Sequence, residues 1–248
     1  MRVTEFEDRA QTNIQLYGQL LATGYSMQEV SGVRAAYTLA GQLFAGQLRP
    51  EGRPFVCHVV GVASILAMLE TAPATIIAGL LHSAYTHGDF GIGRGQMTRQ
   101  ARGRLRAAVG PQIERIVTSY SSHPWNASSV ATWATNVGRL DSDVRQIVVI
   151  RLADTIEDAL DCGLQLSAKT ENPHRAISVE KLVDLAEALG YPRLGNSLRR
   201  VLQESEDGID LTLLRESHLG SYVVCPSSWR EKMLPRFLRF VRHVRARS

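Results

Sequence analysis

Residues 71–81 read Thr71-Ala72-Pro73-Ala74-Thr75-Ile76-Ile77-Ala78-Gly79-Leu80-Leu81 and are apolar around nearly the whole circumference of a helix. A helix of this kind is stable only where other parts of the chain cover all of its faces. Pro73 suits the first turn, because the N–H that proline lacks would have no helical partner there. The stretch therefore predicts a central, buried helix.

Helical patterns continue on both sides of this segment. Phe55–Glu70 places its apolar residues on one stripe, and Asp141 begins a long helix that ends at Gly163. Ser26–Glu29 is a capping box that opens a helix toward Ala45. Further helices are predicted from Thr98 to near Gly110, from Pro111 onward, and over 178–189 and 194–204, with loops at 46–54 and 87–96. The fold class is predicted to be all-α.

Composition narrows the class of protein. The chain has 248 residues, of which 44% are apolar and 21% are charged, as in an ordinary globular protein. Cys57, Cys162 and Cys225 are too far apart for a zinc knuckle, and their odd number does not suggest a disulfide framework, which favours a reducing cytoplasm. The N-terminus lacks the apolar segment of a signal peptide, and no stretch reaches the roughly 18 apolar residues of a membrane span. We therefore expect a cytoplasmic protein.

Charge is concentrated at the C-terminus. Residues Ser228–Ser248 include seven basic side chains and one acid, a net +6, so the rest of the chain carries −2 out of a total of +4. A nucleic-acid partner is therefore not expected. Apolar residues alternate with the arginines at helical spacing, which predicts an amphipathic helix packed on the body, or alternatively one that contacts an anionic partner or membrane surface. We divide the chain into a helical domain, 1–205, and a C-terminal helical extension, 206–248.

Three polar residues interrupt segments that are otherwise suited to the core. His58 lies within Phe55–Val60, His82 follows Leu81, and Asp154 lies in the long helix after Asp141. A buried carboxylate is costly unless it is paired or bound to a cation. Two neutral imidazoles and a carboxylate form a ligand set for a divalent metal. The alternative is that each is an isolated, hydrogen-bonded residue of the core.

The motifs around these residues resemble the hydrolase domain of RelA/SpoT-type alarmone enzymes, a branch of the HD superfamily. The family's Gly-Gln-x-Arg loop and Gly-x-Pro-Tyr-x-x-His segment have counterparts in Gly46–Arg49 and Gly52–His58. Its Leu-Leu-His-Asp and Lys-Leu-Ala-Asp motifs correspond to Leu80–Ser83 and Arg151–Asp154. Order and spacing agree from about residue 34 to residue 194. The resemblance implies that the 1–205 domain is an HD-type helical bundle.

The resemblance also implies a metal site. His58, His82 and Asp154 correspond to three of the family's four metal ligands. Ser83 stands where the family has the fourth ligand, an aspartate, and we assign it to the substrate-binding residues. His123 could supply a further ligand, but its Ser-Ser-His-Pro-Trp context favours a loop residue. The cofactor implied is a divalent metal, either Mn or Fe.

Other positions correspond to catalytic and substrate-binding residues of the family. Thr86 and His87, with Asp89 nearby, take the place of an acidic pair that orients the attacking water, so we assign them as catalytic. Arg49 matches a substrate-contacting arginine. Asp158 replaces an asparagine that helps to bind nucleotide, and its negative charge should repel a phosphorylated ligand.

Three functions are consistent with this pattern. The first is a divergent metal-dependent hydrolase of a phosphorylated small molecule or nucleotide. The second is a non-haem iron oxygenase of specialised metabolism that uses two histidines and one carboxylate. The third is a degenerate HD protein that binds a ligand or partner without catalysis. A small-molecule substrate is expected under either enzyme hypothesis, and homo-oligomerisation stays open.

Overall fold

The computed structural model describes residues 6–49, 51–91, 94–160, 177–206 and 222–223. These residues are predominantly helical, and the predicted all-α class is confirmed. The helices are α1 Asn13–Ala22, α2 Met27–Leu43, α3 Phe55–Met68, α4 Pro73–Leu81, α5 Ala84–His87, α6 Arg99–Ser122, α7 Ala127–Thr135, a 3-10 turn at Val137–Arg139, α8 Ser142–Leu160, α9 Val179–Ala188 and α10 Pro192–Glu206. Two short strands, β1 Gln47–Leu48 and β2 Tyr222–Val223, pair antiparallel.

Helix α4 lies at the centre of the bundle, as its apolar sequence predicts. All of its residues from Thr75 to Leu81 are buried. It packs against α2, α3, α6 and α8, so every face of the helix is covered by another element. This arrangement brings the C-terminal end of α4 next to the first turns of α3 and to the part of α8 that carries Asp154, where the polar residues of the site lie.

The predicted helix ends follow from local hydrogen bonding. The Ser26 hydroxyl accepts a hydrogen bond from the Glu29 amide, and the Glu29 carboxylate accepts one from the Ser26 amide, which completes the capping box. Thr98 caps α6 through the amide of Ala101. Gly110 has φ of 86° and ψ of 166°, so α6 is two helical segments that meet just before Pro111.

Several of the observed helices and strands were not predicted from the sequence. Helix α7 begins with a capping box but contains few large apolar residues, so its helical period is weak. Helix α1 also begins with a capping box, and its large apolar residues recur at helical spacing, a signal that sequence reasoning overlooked. The predicted loop at 46–54 contains the short strand β1. This strand was not predicted, because its partner β2 lies far along the chain. Helix α5 ends at His87, where a loop was predicted to begin.

Two predictions lie outside the described residues. They are the end of α8 at Gly163 and the basic helix within 228–248. The domain boundary at 205 stays a prediction. In the part of the chain that the structure describes, no helix is long and apolar enough to cross a membrane.

Candidate metal centre

Three helices bring His58, His82 and Asp154 together. His58 lies in the second turn of α3, His82 immediately follows α4, and Asp154 lies in α8. One potential ligand atom from each residue lies within 4.8 Å of the others, and all three side chains are buried. Residues separated by up to 96 positions in the printed sequence therefore form one cluster in the core.

The histidine rings present the same nitrogen to the cluster. The Nδ1–H of His82 donates to the Gly79 carbonyl at 2.7 Å, because a carbonyl can only accept. The Nδ1–H of His58 likewise donates to the Glu157 carboxylate. Each ring therefore turns Nε2 toward Asp154 Oδ1, at 3.2 Å from His58 and 3.5 Å from His82.

This geometry requires positive charge at the centre of the cluster. The lone pairs of two neutral imidazoles and a carboxylate oxygen repel one another unless a cation or a proton lies between them. His82 Nε2 is buried and has no hydrogen-bond partner among the residues that the structure describes. Nitrogen and carboxylate ligands in this number suit Mn, Fe or Zn. The residues present therefore fit a divalent metal.

The pKa shifts reflect the same demand for positive charge. Burial lowers the pKa of His58, but the Glu157 and Asp154 carboxylates outweigh it and raise the pKa to about 9. Burial raises the pKa of Asp154, but the charges of His82 and His58 hold it well below its ordinary value. Both shifts favour a positive charge among these three side chains.

The second oxygen of Asp154 is held by Tyr120 of α6. The Tyr120 hydroxyl donates to Asp154 Oδ2 at 2.7 Å, and both side chains are buried. The Arg151 guanidinium lies 3.7 Å from the centre of the Tyr120 ring, and its Nη2 donates to the Tyr120 carbonyl at 2.7 Å. These contacts fix Asp154 so that Oδ1 faces the two histidines.

The two acids that follow Asp154 in α8 are paired with arginines. Glu157 contacts Arg53, and Arg9 Nε lies 3.6 Å from its Oε1. Glu157 and Asp158 also form, with His58, a second group whose potential ligand atoms lie within 4.8 Å of one another. Because arginine side chains already neutralise both carboxylates, this group is a poorer cation site than the first.

Two residues assigned to substrate binding contact each other. Arg49 Nη2 lies 2.5 Å from Asp158 Oδ1, and Arg49 Nε donates to Glu51 at 2.9 Å. The Arg49 guanidinium also lies 5.8 Å from the centre of the Phe55 ring. Burial raises the pKa of Asp158 to about 7, against the opposing effect of Arg49.

The residues assigned as catalytic lie on α5 and in the loop after it. The Thr86 hydroxyl lies 3.2 Å from the Ser83 carbonyl and 2.9 Å from His87 Nδ1. His87 is half-buried, with its ring 4.9 Å from that of Phe55. Burial lowers its pKa to about 4. Asp89 is exposed, and its carboxylate accepts from the Gly91 amide in a turn.

Ser83 and His123 each lie at the end of a helix. Ser83 is buried next to His82, and its carbonyl accepts hydrogen bonds from the amides of Thr86 and His87, the last two residues of α5. His123 follows the last residue of α6, where its Nδ1–H donates to the Ser119 carbonyl at 2.8 Å. Its ring lies near Trp133 and does not belong to either group of potential ligands in the described part of the chain.

Sequence reasoning missed Glu157, Tyr120 and Arg53. Glu157 had a detectable signal, because it lies three residues after Asp154 and therefore on the same face of an apolar helix. Tyr120 had no such signal, since its role depends on how α6 packs against α8. Arg53 lies in a loop, and nothing local indicates that it reaches Glu157.

Comparisons with known proteins give three findings. The model of a family described as HD domain matches residues 36–182. The GTP pyrophosphokinase of Streptomyces antibioticus is 26% identical over 188 residues, covering 69% of this chain and 21% of that protein. The bifunctional (p)ppGpp synthase/hydrolase SpoT of Escherichia coli is 38% identical over 64 residues, covering 26% of this chain and 9% of that protein. The chain thus spans about a fifth or less of these two relatives.

A solved structure is also similar. It belongs to a metazoan ortholog of SpoT that hydrolyzes ppGpp, and it matches with a TM-score of 0.45 and 16% identity. The match covers 72% of this chain and 96% of that one.

Proposed function

This chain belongs to the HD domain family, and from that premise we propose that it is a metal-dependent hydrolase of a phosphorylated small molecule or nucleotide. One observation carries the proposal. The Nε2 atoms of His58 and His82 converge on Asp154 Oδ1, while each ring is held from behind by a hydrogen bond of its Nδ1–H. Histidines that only filled the core would not leave the buried His82 Nε2 without a hydrogen-bond partner in the described part of the chain.

His58, His82 and Asp154 would hold the metal. A bound divalent ion supplies Lewis-acid activation of water and offsets the charge of a phosphoryl group. The residues around the ligands keep them in place, because Tyr120 fixes Asp154 and the Gly79 carbonyl fixes His82. These contacts would hold the three ligands in position before a metal binds.

We assign proton transfer to His87. Its lowered pKa keeps the ring neutral at pH 7. If the Thr86 hydroxyl donates to the Ser83 carbonyl, then His87 Nδ1–H donates to Thr86 and Nε2 is left as an acceptor. A neutral imidazole in this state can take a proton from water. Asp89 is the weaker candidate, since its carboxylate is engaged by the Gly91 amide.

The substrate would carry an anionic group toward Arg49. The names of the relatives, GTP pyrophosphokinase and (p)ppGpp synthase/hydrolase, support a nucleotide. Arg49 is already paired with Asp158 and Glu51, so a phosphate must share or displace these carboxylates. We therefore propose a substrate with fewer negative charges near Arg49 than the tetraphosphate ppGpp.

A non-haem iron oxygenase is the second candidate. The observation that favours it is the ligand set, which has two histidines and one carboxylate in the described residues, with Ser83 at the position of a fourth ligand. Such a set leaves coordination positions open for substrate and oxygen.

Metal identity and turnover separate these functions. The untagged protein would be purified without chelators, its metals measured by plasma mass spectrometry, and phosphate or pyrophosphate release followed with ppGpp, GTP and simpler phosphate esters. Bound Mn with release from any of these supports the hydrolase. Bound Fe with oxygen consumption and no phosphate release favours the oxygenase. A metal-free protein that takes up no metal and turns over no substrate overturns both.

A further inference from the structure

Glu157 is a buried carboxylate behind one of the metal ligands. It lies on α8, one helical turn after Asp154, and its side chain is fully buried. Its Oε2 accepts the hydrogen bond from His58 Nδ1, on the side of the ring opposite Asp154. The His58 ring is thus held between two carboxylates of the same helix.

The packing of α3 against α8 leaves a space for this carboxylate. Gly61 lies on α3, three residues after His58 and therefore on the same face. A Cβ atom at Gly61 would lie 2.6 Å from Glu157 Oε1 and 2.8 Å from its Cγ, which is closer than non-bonded atoms approach a Cβ atom in proteins. Only glycine allows the Glu157 side chain to occupy this position beside His58.

Two arginines balance the charge of Glu157. Arg53, from the loop before α3, contacts Oε1, and Arg9 Nε lies 3.6 Å from the same oxygen. A buried carboxylate without such partners would be strongly unfavourable. Because both arginines approach Oε1, the other oxygen is left to accept from His58.

We infer that Glu157 is the positioning residue that orients His58 toward the metal. By accepting the hydrogen bond from Nδ1–H, Glu157 fixes the tautomer that presents the Nε2 lone pair. It also makes Nε2 a stronger electron-pair donor to the metal. This inference rests on the proposed function, because it needs a metal at the site. Asp158 does not duplicate the role, since its Oδ1 lies 3.5 Å from His58 Nδ1 and 2.5 Å from Arg49.

The test is metal affinity in Glu157→Gln. Arg53 and His58 contact different oxygens of Glu157, and glutamine has only one oxygen, so its amide N–H₂ must face either Arg53 or His58. When its amide N–H₂ faces His58, the ring must accept at Nδ1 and carry its proton on Nε2, where the metal would bind. We expect Zn²⁺ or Mn²⁺ to bind about 10- to 100-fold more weakly, as measured by competition with a chromophoric chelator.

Glu114→Gln is the matched control. Glu114 is also a buried carboxylate paired with two arginines, but it lies on α6 and contacts none of the three ligands. Its loss should leave metal affinity within about twofold of wild type, because second-shell effects require contact with a ligand.

Glu157→Asp separates positioning from charge balance. It keeps the negative charge beside Arg53 and Arg9 but shortens the side chain by one methylene, so it no longer reaches His58. A purely structural carboxylate would retain metal affinity in this variant, whereas a positioning residue would lose it. The ¹⁵N and ¹H shifts of His58 Nδ1–H in the Zn²⁺ form provide a second readout, which we expect to change in both Glu157 variants.

The outcomes distinguish this inference from the proposed function. Wild type that binds no metal overturns the proposed function and the inference with it. Wild type that binds metal, with both Glu157 variants equal to it in affinity and in the His58 shifts, overturns the inference alone. Weaker binding in the Glu157 variants but not in Glu114→Gln supports both.

Discussion

Arg49 and Asp158, 109 residues apart in sequence, form an ion pair of 2.5 Å between Nη2 and Oδ1 at the edge of the candidate metal centre. The sequence predicted both as substrate-binding residues, with Asp158 acting by repulsion. Their contact adds a second effect, because Asp158 occupies the guanidinium that an anionic ligand would need. Under the proposed function, the pair would be an internal competitor for the phosphate of a substrate.

Asp158→Asn should strengthen the binding of an anionic ligand. The amide is a weaker partner for Arg49 than a carboxylate, and the repulsion of phosphate is removed. We expect pyrophosphate to bind about tenfold more tightly, equivalent to about 1.4 kcal/mol, by isothermal titration calorimetry.

Asp143→Asn serves as its control. Asp143 lies on the same helix and pairs with the exposed Arg115 at 2.6 Å, away from the ligands. Pyrophosphate binding should not change in this variant. Equal or weaker binding in Asp158→Asn would show that Arg49 does not receive the anion.

Tyr120→Phe should weaken metal binding without unfolding the protein. The substitution removes the hydrogen bond that fixes Asp154 Oδ2 and leaves the ring in place. We expect metal affinity to fall about tenfold and the free energy of unfolding to fall by about 1 kcal/mol. Chelator competition and urea denaturation measure the two quantities.

The matched variant is Tyr85→Phe, which removes a buried hydroxyl that donates to Glu114 at 3.3 Å. It should cost a similar amount of stability and leave metal affinity unchanged. If Tyr120→Phe binds metal as tightly as wild type, then Tyr120 has no part in orienting Asp154.

Glu114 should contribute stability that disappears in acid. Burial raises its pKa, but hydrogen bonds from Arg102 and Arg106 outweigh burial and lower it to about 2 from an ordinary value of 4.5. A lowered folded-state pKa stabilises the protein above pH 4.5, and this stabilisation is lost as the pH falls from 4.5 to 2.

Comparison with Glu114→Gln isolates this effect from other acidic groups. Because both arginines are partly exposed, we expect wild type to be more stable by about 1–2 kcal/mol at pH 7, with the difference shrinking toward pH 2. Urea denaturation at several pH values gives this difference. A constant difference across the range would mean that Glu114 does not titrate as described.

The sequence predicted the buried central helix and the three residues that meet beside it, because both leave local signals. An unbroken apolar run indicates α4, and a polar residue inside such a run draws attention to His82 and Asp154. The order of motifs then indicated that these residues meet. Ion pairs such as Arg49–Asp158 could not be predicted, since they join a loop to a helix through the packing of α3 on α8.

Residues that surround the ligands, such as Tyr120, could not be predicted from the sequence either. Tyr120 reaches Asp154 only because α6 packs against α8. Gly61 lies in an apolar helix, where it looks like an unremarkable small residue, and its importance depends on the carboxylate beside it. Such contacts depend on tertiary geometry, for which a single sequence carries no periodic signal.

The central claim is that His58, His82 and Asp154 form a metal centre, and His82→Ala tests it most directly. His123→Ala is the matched control, because His123 also follows a helix and donates from Nδ1 to a backbone carbonyl, yet it lies outside the cluster. Metal per chain would be measured by plasma mass spectrometry after reconstitution and desalting. We predict about one divalent ion in wild type and in His123→Ala and almost none in His82→Ala. Full metal content in His82→Ala, or none in wild type, would contradict the account.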